Sequence, residues 1–209
     1  GYSVQNNVWP EGNEYNNLII DKDYWQNIDF ARSEIQSDVL MKWSYPEAPP
    51  PNYVYAFPTL AWGAGENLLV NGAKSYRLDE LKGLSVTYDY NISGNTNKFN
   101  VALELYTWSK PVTTEGVVKK SEIMVKLYQP WSDGENFSYK DQYINASVAI
   151  KLDQAGARTP QDGLPEWTYA SFQLKTASYQ GMVDYSRIFD YLISKGLISA
   201  ADYVAGLSI

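Results

Sequence analysis

The chain has 209 residues, carries 17 Lys and Arg against 24 Asp and Glu, and contains neither His nor Cys. A length of this order suits one all-β domain, and a 44% hydrophobic share provides a core, so a disordered chain and a disulfide-held miniprotein are excluded. Without thiols or imidazoles there is no thiolate nucleophile, no His-based triad and no ordinary zinc site, and a net charge of −7 lacks the clustered cations that nucleic acid or an anionic membrane would require.

The remaining strong acid–base groups are carboxylates. No apolar run approaches the ~18 residues needed to span a bilayer. The chain starts at Gly1 with neither Met nor an apolar h-region, so its beginning cannot report an export signal. The aromatic share is high, with 18 Tyr and 7 Trp against 6 Phe. Tyr and Trp combine an apolar face with a polar edge and suit a wet surface that stacks on flat rings such as sugars. The preference of β-proteins for aromatic residues is the plain alternative.

In chain order, the first clear strand is marked by Leu84, Val86, Tyr88, Tyr90 and Ile92, which alternate with polar residues at the period of two expected of a half-buried strand. Phe99, Val101, Leu103 and Leu105 repeat the pattern on one face, with Asn100, Ala102, Glu104, Tyr106 and Trp108 on the other. The turn composition of Ser93 to Asn97 between these runs predicts an antiparallel hairpin. A third strand after Thr113-Thr114-Glu115-Gly116 sets Ile123, Val125 and Leu127 against Glu122, Met124, Lys126 and Tyr128. Further strands are expected over Ile144–Leu152 and Trp167–Lys175. Tyr185, Ile188, Phe189, Leu192 and Ile193 form the stripe of an amphipathic helix, which Gly196 stops. The expected architecture is all-β, a sandwich or jelly roll of two curved antiparallel sheets, with one helix from about Tyr185 to Lys195 packed outside.

Two successive strands put a carboxylate on their polar, aromatic faces. Glu104 shares its side with Tyr106 and Trp108, and Glu122 shares its side with Met124 and Tyr128. If the strands are neighbours, both carboxylates enter one ring-lined groove. The alternative is a pair of solvated Glu residues on an exposed sheet face.

Ser121-Glu122-Ile123-Met124-Val125-Lys126-Leu127 resembles the E-I-M-I-W-L strand of glycoside hydrolase family 12, the compact jelly-roll endoglucanases and xyloglucanases. Other segments agree in order. Tyr2 to Trp9 resembles the opening Y-x-V-x-N-N-x-W strand, Val54 to Thr59 a K-S/A-Y-P segment, and Val101 to Tyr106 a V-x-Y-D-L-F strand. Phe189 to Leu192 and Ala201 to Tyr203 resemble the late helix and the approach to the last catalytic strand.

The resemblance implies a retaining endo-β-1,4-glucanase or xyloglucanase acting on a neutral β-glucan, with Glu122 as nucleophile and Glu104 as its hydrogen-bonding partner, one methylene longer than the family's Asp. It also implies that Trp9 and Asn7, with Met124, Lys126, Trp108 and Tyr106, line the substrate site. It implies no metal or organic cofactor, a secreted monomer and a single domain over 1–209. Lys126 replaces the family's Trp, bringing a cation to this face and removing a stacking ring. Counting forward from Tyr203, the G-T-E motif that carries the family's acid/base Glu falls just after Ile209, so the last catalytic strand is expected beyond the chain. A non-catalytic β-glucan-binding module derived from such an enzyme is the alternative.

Overall fold

The computed structural model describes residues 2–8, 21–22, 24–29, 39–45, 56–64, 73–130, 150–158, 166–174 and 176–209. Two compact units divide the chain, Tyr2–Leu60 and Ala61–Ile209.

In the first unit, β1 (Tyr2–Val8) lies beside β4 (Ala56–Gly63), the strand along which the chain leaves the unit. Here also β2 (Trp25–Asp29) pairs antiparallel with β3 (Leu40–Ser44), from Trp25 opposite Ser44 to Asp29 opposite Leu40. Tyr24 and Tyr45 flank this ribbon with their rings stacked at 5.2 Å and 9°.

In the second unit, β7 (Val101–Trp108) and β8 (Lys119–Tyr128) form the antiparallel hairpin that their alternation predicts. β8 also pairs with β10 (Trp167–Leu174), which pairs in turn with β9 (Ile150–Arg158). On the other side of β7 lie two short strands, β12 (Tyr203–Val204) and β13 (Gly206–Ser208). β13 continues to the Ala61–Gly63 end of β4, and β12 to β5 (Tyr76–Arg77).

Both faces of β7 and β8 are covered, so alternation here separates an apolar side from a polar one and not core from solvent. Leu103, Leu105, Ile123, Val125, Ala170 and Phe172 form the apolar side. On it packs α1 (Tyr185–Ser194), which buries Tyr185, Ile188, Phe189 and Leu192, four of the five stripe residues. Asp184 caps the helix, its Oδ1 accepting from the Ser186 and Arg187 N–H groups at 3.1 and 3.4 Å. Gly196, at φ 68°, ends it by sending its N–H to the Ile193 carbonyl while Leu197 N–H reaches Leu192.

Two features depart from expectation. The strand at Leu84–Ile92 is β6 (Ser85–Asp89), and it does not make a hairpin with β7. Its partner is β11 (Gln180–Asp184), with Gln180 opposite Asp89 and Asp184 opposite Ser85. The Ser93 to Asn97 stretch runs into a 3₁₀ turn, Thr96–Lys98, instead of a tight hairpin turn. The pairing extends through Tyr90 N–H to the Tyr179 carbonyl at 2.9 Å, and β11 runs directly into α1, so β6 anchors the helix. The second departure is that β8 and β10 are parallel, whereas β7–β8, β9–β10, β4–β13, β5–β12, β7–β12, β2–β3 and β6–β11 are antiparallel. The expected strand at Ile144–Leu152 is met by β9 from Ile150, and its earlier residues lie outside the described ones.

Candidate active site

Register fixes the carboxylates. Tyr106 is opposite Glu122 and Glu104 is opposite Met124, so the two Glu residues are diagonal neighbours on adjacent strands, within mutual reach of long side chains. They project from the side opposite the helix-covered core. Ala102 is opposite Lys126, which brings that cation onto the same face. β10 extends the face by setting Tyr169 beside Glu122, Ser171 beside Met124 and Gln173 beside Lys126. On the far side of β7, Ser208 is opposite Glu104 and donates from Oγ to the Glu104 carbonyl oxygen at 3.3 Å.

Glu122 has a defined donor. Trp167 Nε1–H reaches its Oε2 at 3.0 Å and fixes that oxygen's direction. The Lys119 ammonium lies 3.9 Å from the Trp167 ring centroid and 5.2 Å from that of Tyr106, so one cation ties two rings together beside the carboxylate. Tyr106 and Trp108 are in ring contact at 6.2 Å. Tyr169 Oη donates to Met124 Sδ at 3.7 Å.

Burial is deeper than a solvated sheet face would give. Glu104 is 5% exposed, Glu122 8% and Lys126 2%, and Tyr106, Trp108 and Tyr169 are buried with them. Met124 and Trp167 keep partial exposure, and both flank Glu122. Two polar atoms on this face, Trp108 Nε1 and Ser171 Oγ, are buried without a hydrogen-bond partner among the described residues. Such orphans are rare in proteins and are met at sites that receive a polar ligand or water.

The structure therefore gathers Glu104, Glu122, Met124, Lys126, Tyr106 and Trp108 on one face. Asn7 lies in β1, and Trp9 lies outside the described residues. Trp167, Tyr169 and Ser171 belong to the face as well. Their shared parity was visible in the sequence, but the parallel pairing that delivers them to Glu122 was not. Lys119 and Ser208 had no such signal, since a strand bulge resets the phase between Lys119 and Ser121 and β13 is too short to show alternation.

Asp202 and Glu166 are carboxylates near this region that line a cavity of about 390 Å³ with Lys120, Trp167, Thr168 and Ser199, so that Trp167 borders both this cavity and the carboxylate face. Asp202 caps a turn there by accepting from Ser199 N–H at 3.0 Å. Burial raises its carboxyl above the ordinary range, against the opposing pull of that hydrogen bond and of the Lys120 charge.

No protein-family model matches the chain, and no curated protein matches it. Solved structures do. The native family 12 xyloglucanase of Bacillus licheniformis superposes with a TM-score of 0.77 at 21% identity, over 99% of this chain and 84% of that one. Endoglucanase 3 of Trichoderma harzianum, from family GH12, gives 0.61 at 17% over 100% and 81%. An endoglucanase of Rhodothermus marinus gives 0.59 at 15% over 80% and 71%. At these identities the likeness defines the fold, which is the open β-jelly-roll sandwich of the family 12 glycoside hydrolases. The solved relatives are glucan hydrolases by name.

Proposed function

We propose that this chain is a single-domain, secreted, monomeric β-glucan-acting protein of the retaining endo-β-1,4-glucanase or xyloglucanase kind, working without a metal or organic cofactor. The observation that carries the reading is the pairing of two buried carboxylates on diagonal positions of one ring-lined face, with a Trp hydrogen bond aiming one of them. In this mechanism Glu122 attacks the anomeric carbon and forms a glycosyl-enzyme bond while the leaving oxygen departs, and water then releases the sugar and regenerates the carboxylate. Glu104 positions Glu122 from the next strand. Tyr106, Trp108, Met124 and Lys126, joined by Trp9 and Asn7, hold the glucan through ring stacking and hydrogen bonds. The orphaned Trp108 Nε1 and Ser171 Oγ fit glycan hydroxyls.

A retaining reaction also needs an acid about 5–5.5 Å from the nucleophile. Counting along the resemblance puts it in a G-x-E stretch following Ile209. A non-catalytic β-glucan-binding module is the second reading, since the ring contacts and the orphaned polar atoms on this face serve binding as well as catalysis.

Labelling with a 2-fluoro-cellobiosyl fluoride tests the first reading. A glycosylated peptide carrying Glu122 supports it, and a label on any other residue sinks it. Glu122→Gln should abolish release of an activated aryl leaving group while calorimetric binding of cello-oligosaccharides persists, because the amide keeps shape and loses charge. Glu104→Gln should be milder and should move the acidic limb of the pH–rate profile. Trp9→Ala should weaken oligosaccharide binding by on the order of 1 kcal/mol, and unchanged affinity would remove Trp9 from the site.

A further inference from the structure

The cavity beside the carboxylate face has a defined frame. β8 and β10 are parallel with Thr168 opposite Ser121, so both strands start at the same end of the sheet and bring Lys120, Glu166, Trp167 and Thr168 together there. The loop that follows α1 forms the other wall. Gly196 turns the chain at φ 68°, and Ser199 N–H donates to Asp202 Oδ2 at 3.0 Å while Asp202 N–H returns to the Ser199 carbonyl at 3.0 Å. The Asp202 carbonyl in turn accepts from Leu78 N–H at 2.9 Å, which holds this wall in place. The space of about 390 Å³ is at the low end of the ~300–1,000 Å³ typical of small-molecule sites, so it admits a sugar ring but no run of polymer backbone.

Its lining mixes acceptors, donors and one aromatic wall. Glu166 and Asp202 accept, the Lys120 ammonium donates, and the Thr168 and Ser199 hydroxyls do both. The Lys120 charge opposes the effect of burial on the Asp202 carboxyl, so cation and carboxylate offset one another. An anionic ligand would meet two carboxylates, and among the described residues no cluster of three or more metal-ligating side chains is present to hold a cation. A neutral polyol satisfies all of these groups at once. Trp167 links the cavity to the reacting groups. Its Nε1–H donates to Glu122 Oε2 at 3.0 Å while the same side chain lines the cavity, so the two spaces share one indole as a wall.

We infer that this cavity receives a pendant sugar of a branched β-glucan whose backbone lies on the carboxylate face, so that the chain prefers branched to linear glucan. The inference rests on the reading of that face as a glucan site. A glucan branched at its C6 hydroxyls carries each pendant ring to the side of the backbone, one glycosidic bond and one methylene away from the ring that bears it. A backbone unit held against Trp167 sends such a branch past the edge of the indole into the cavity. There Glu166 and Asp202 accept from the ring hydroxyls, and Lys120, Thr168 and Ser199 meet its oxygens. A linear glucan leaves these groups to water. The preference therefore belongs to binding and needs no bond to break.

Calorimetry on the full chain with cellotetraose and with a xylosylated oligosaccharide of the same backbone length tests this. The branched ligand should bind about 10-fold tighter, or ~1.4 kcal/mol. Lys120→Trp fills the cavity from an exposed strand position and should remove that advantage while cellotetraose affinity stays as it was. Glu166→Ala, at an exposed position, removes one acceptor and should weaken the branched ligand alone by about 2- to 10-fold. Equal affinity for the two ligands in the unaltered chain, or an equal loss for both in Lys120→Trp, would overturn the inference and leave the glucan reading standing. Binding of neither ligand counts against the glucan reading itself and removes the inference with it. Free xylose separates a tethered sugar from a loose one. Xylose binding as tight as that of the branched oligosaccharide, and lost in Lys120→Trp, would make the cavity a monosaccharide site unconnected to the backbone and overturn the inference, whereas much weaker xylose binding upholds it.

Discussion

Among the described residues the Trp167 indole N–H donates to Glu122, and its ring is also the platform for the Lys119 ammonium. Trp167→Phe divides these roles, because a phenyl ring keeps the cation contact and loses the N–H. A hydrogen bond to a charged group contributes roughly 1.5–3 kcal/mol, so turnover of an activated aryl glycoside should fall about 10- to 100-fold with little change in KM. Equal loss in kcat/KM from KM alone would show that the ring binds sugar and does not aim the carboxylate. At this scale the sequence was informative where parity sufficed, as for Glu104, Tyr106, Glu122 and Met124. It was silent where the neighbour came from a strand distant in sequence, as for Trp167, or from a residue with no suggestive chemistry, as for Ser208.

Element by element, legibility followed the range of the interaction. α1 was readable because its signals are local: a stripe of apolar residues, a capping Asp184 and a stopping Gly196. β7 and β8 were readable for the same reason, since a hairpin joins sequence neighbours. β6 has equally good alternation, yet its partner is β11, almost a hundred positions later, and nothing in a strand's own period names its partner. The parallel β8–β10 contact was invisible on the same grounds. Asp184→Ala tests whether the local signals carry energy. The loss of one side-chain acceptor for two N–H groups should lower stability by about 1 kcal/mol in urea denaturation, with an unchanged m value. No loss would mean that burial of Tyr185, Ile188, Phe189 and Leu192 alone fixes the helix start.

At the scale of the whole molecule, 18 Tyr and no His or Cys make alkaline pH the region where folding and proton binding are most strongly linked. Burial, with the neighbouring Tyr88, Tyr179 and Tyr128, pushes the Tyr90 phenol from 10.0 up to about 12. Burial and Tyr24 push Tyr45 in the other unit to about 12 as well. Burial raises Tyr88, and burial joined by the Glu104 charge raises Tyr185. In the unfolded chain these phenols ionise near 10, so between pH 10 and 12 the folded state holds more protons than the unfolded one. Stability therefore falls as pH rises through that window and is fully present below it. Urea midpoints should be nearly constant from pH 7 to 9 and then drop steeply. Tyr185→Phe isolates one member of the set. Its hydroxyl is buried with no hydrogen-bond partner, so removal costs little at pH 7 and should flatten the decline above pH 10. A midpoint that stays level to pH 12, or a Tyr185→Phe curve parallel to that of the unaltered protein, would show that these phenols do not govern alkaline unfolding.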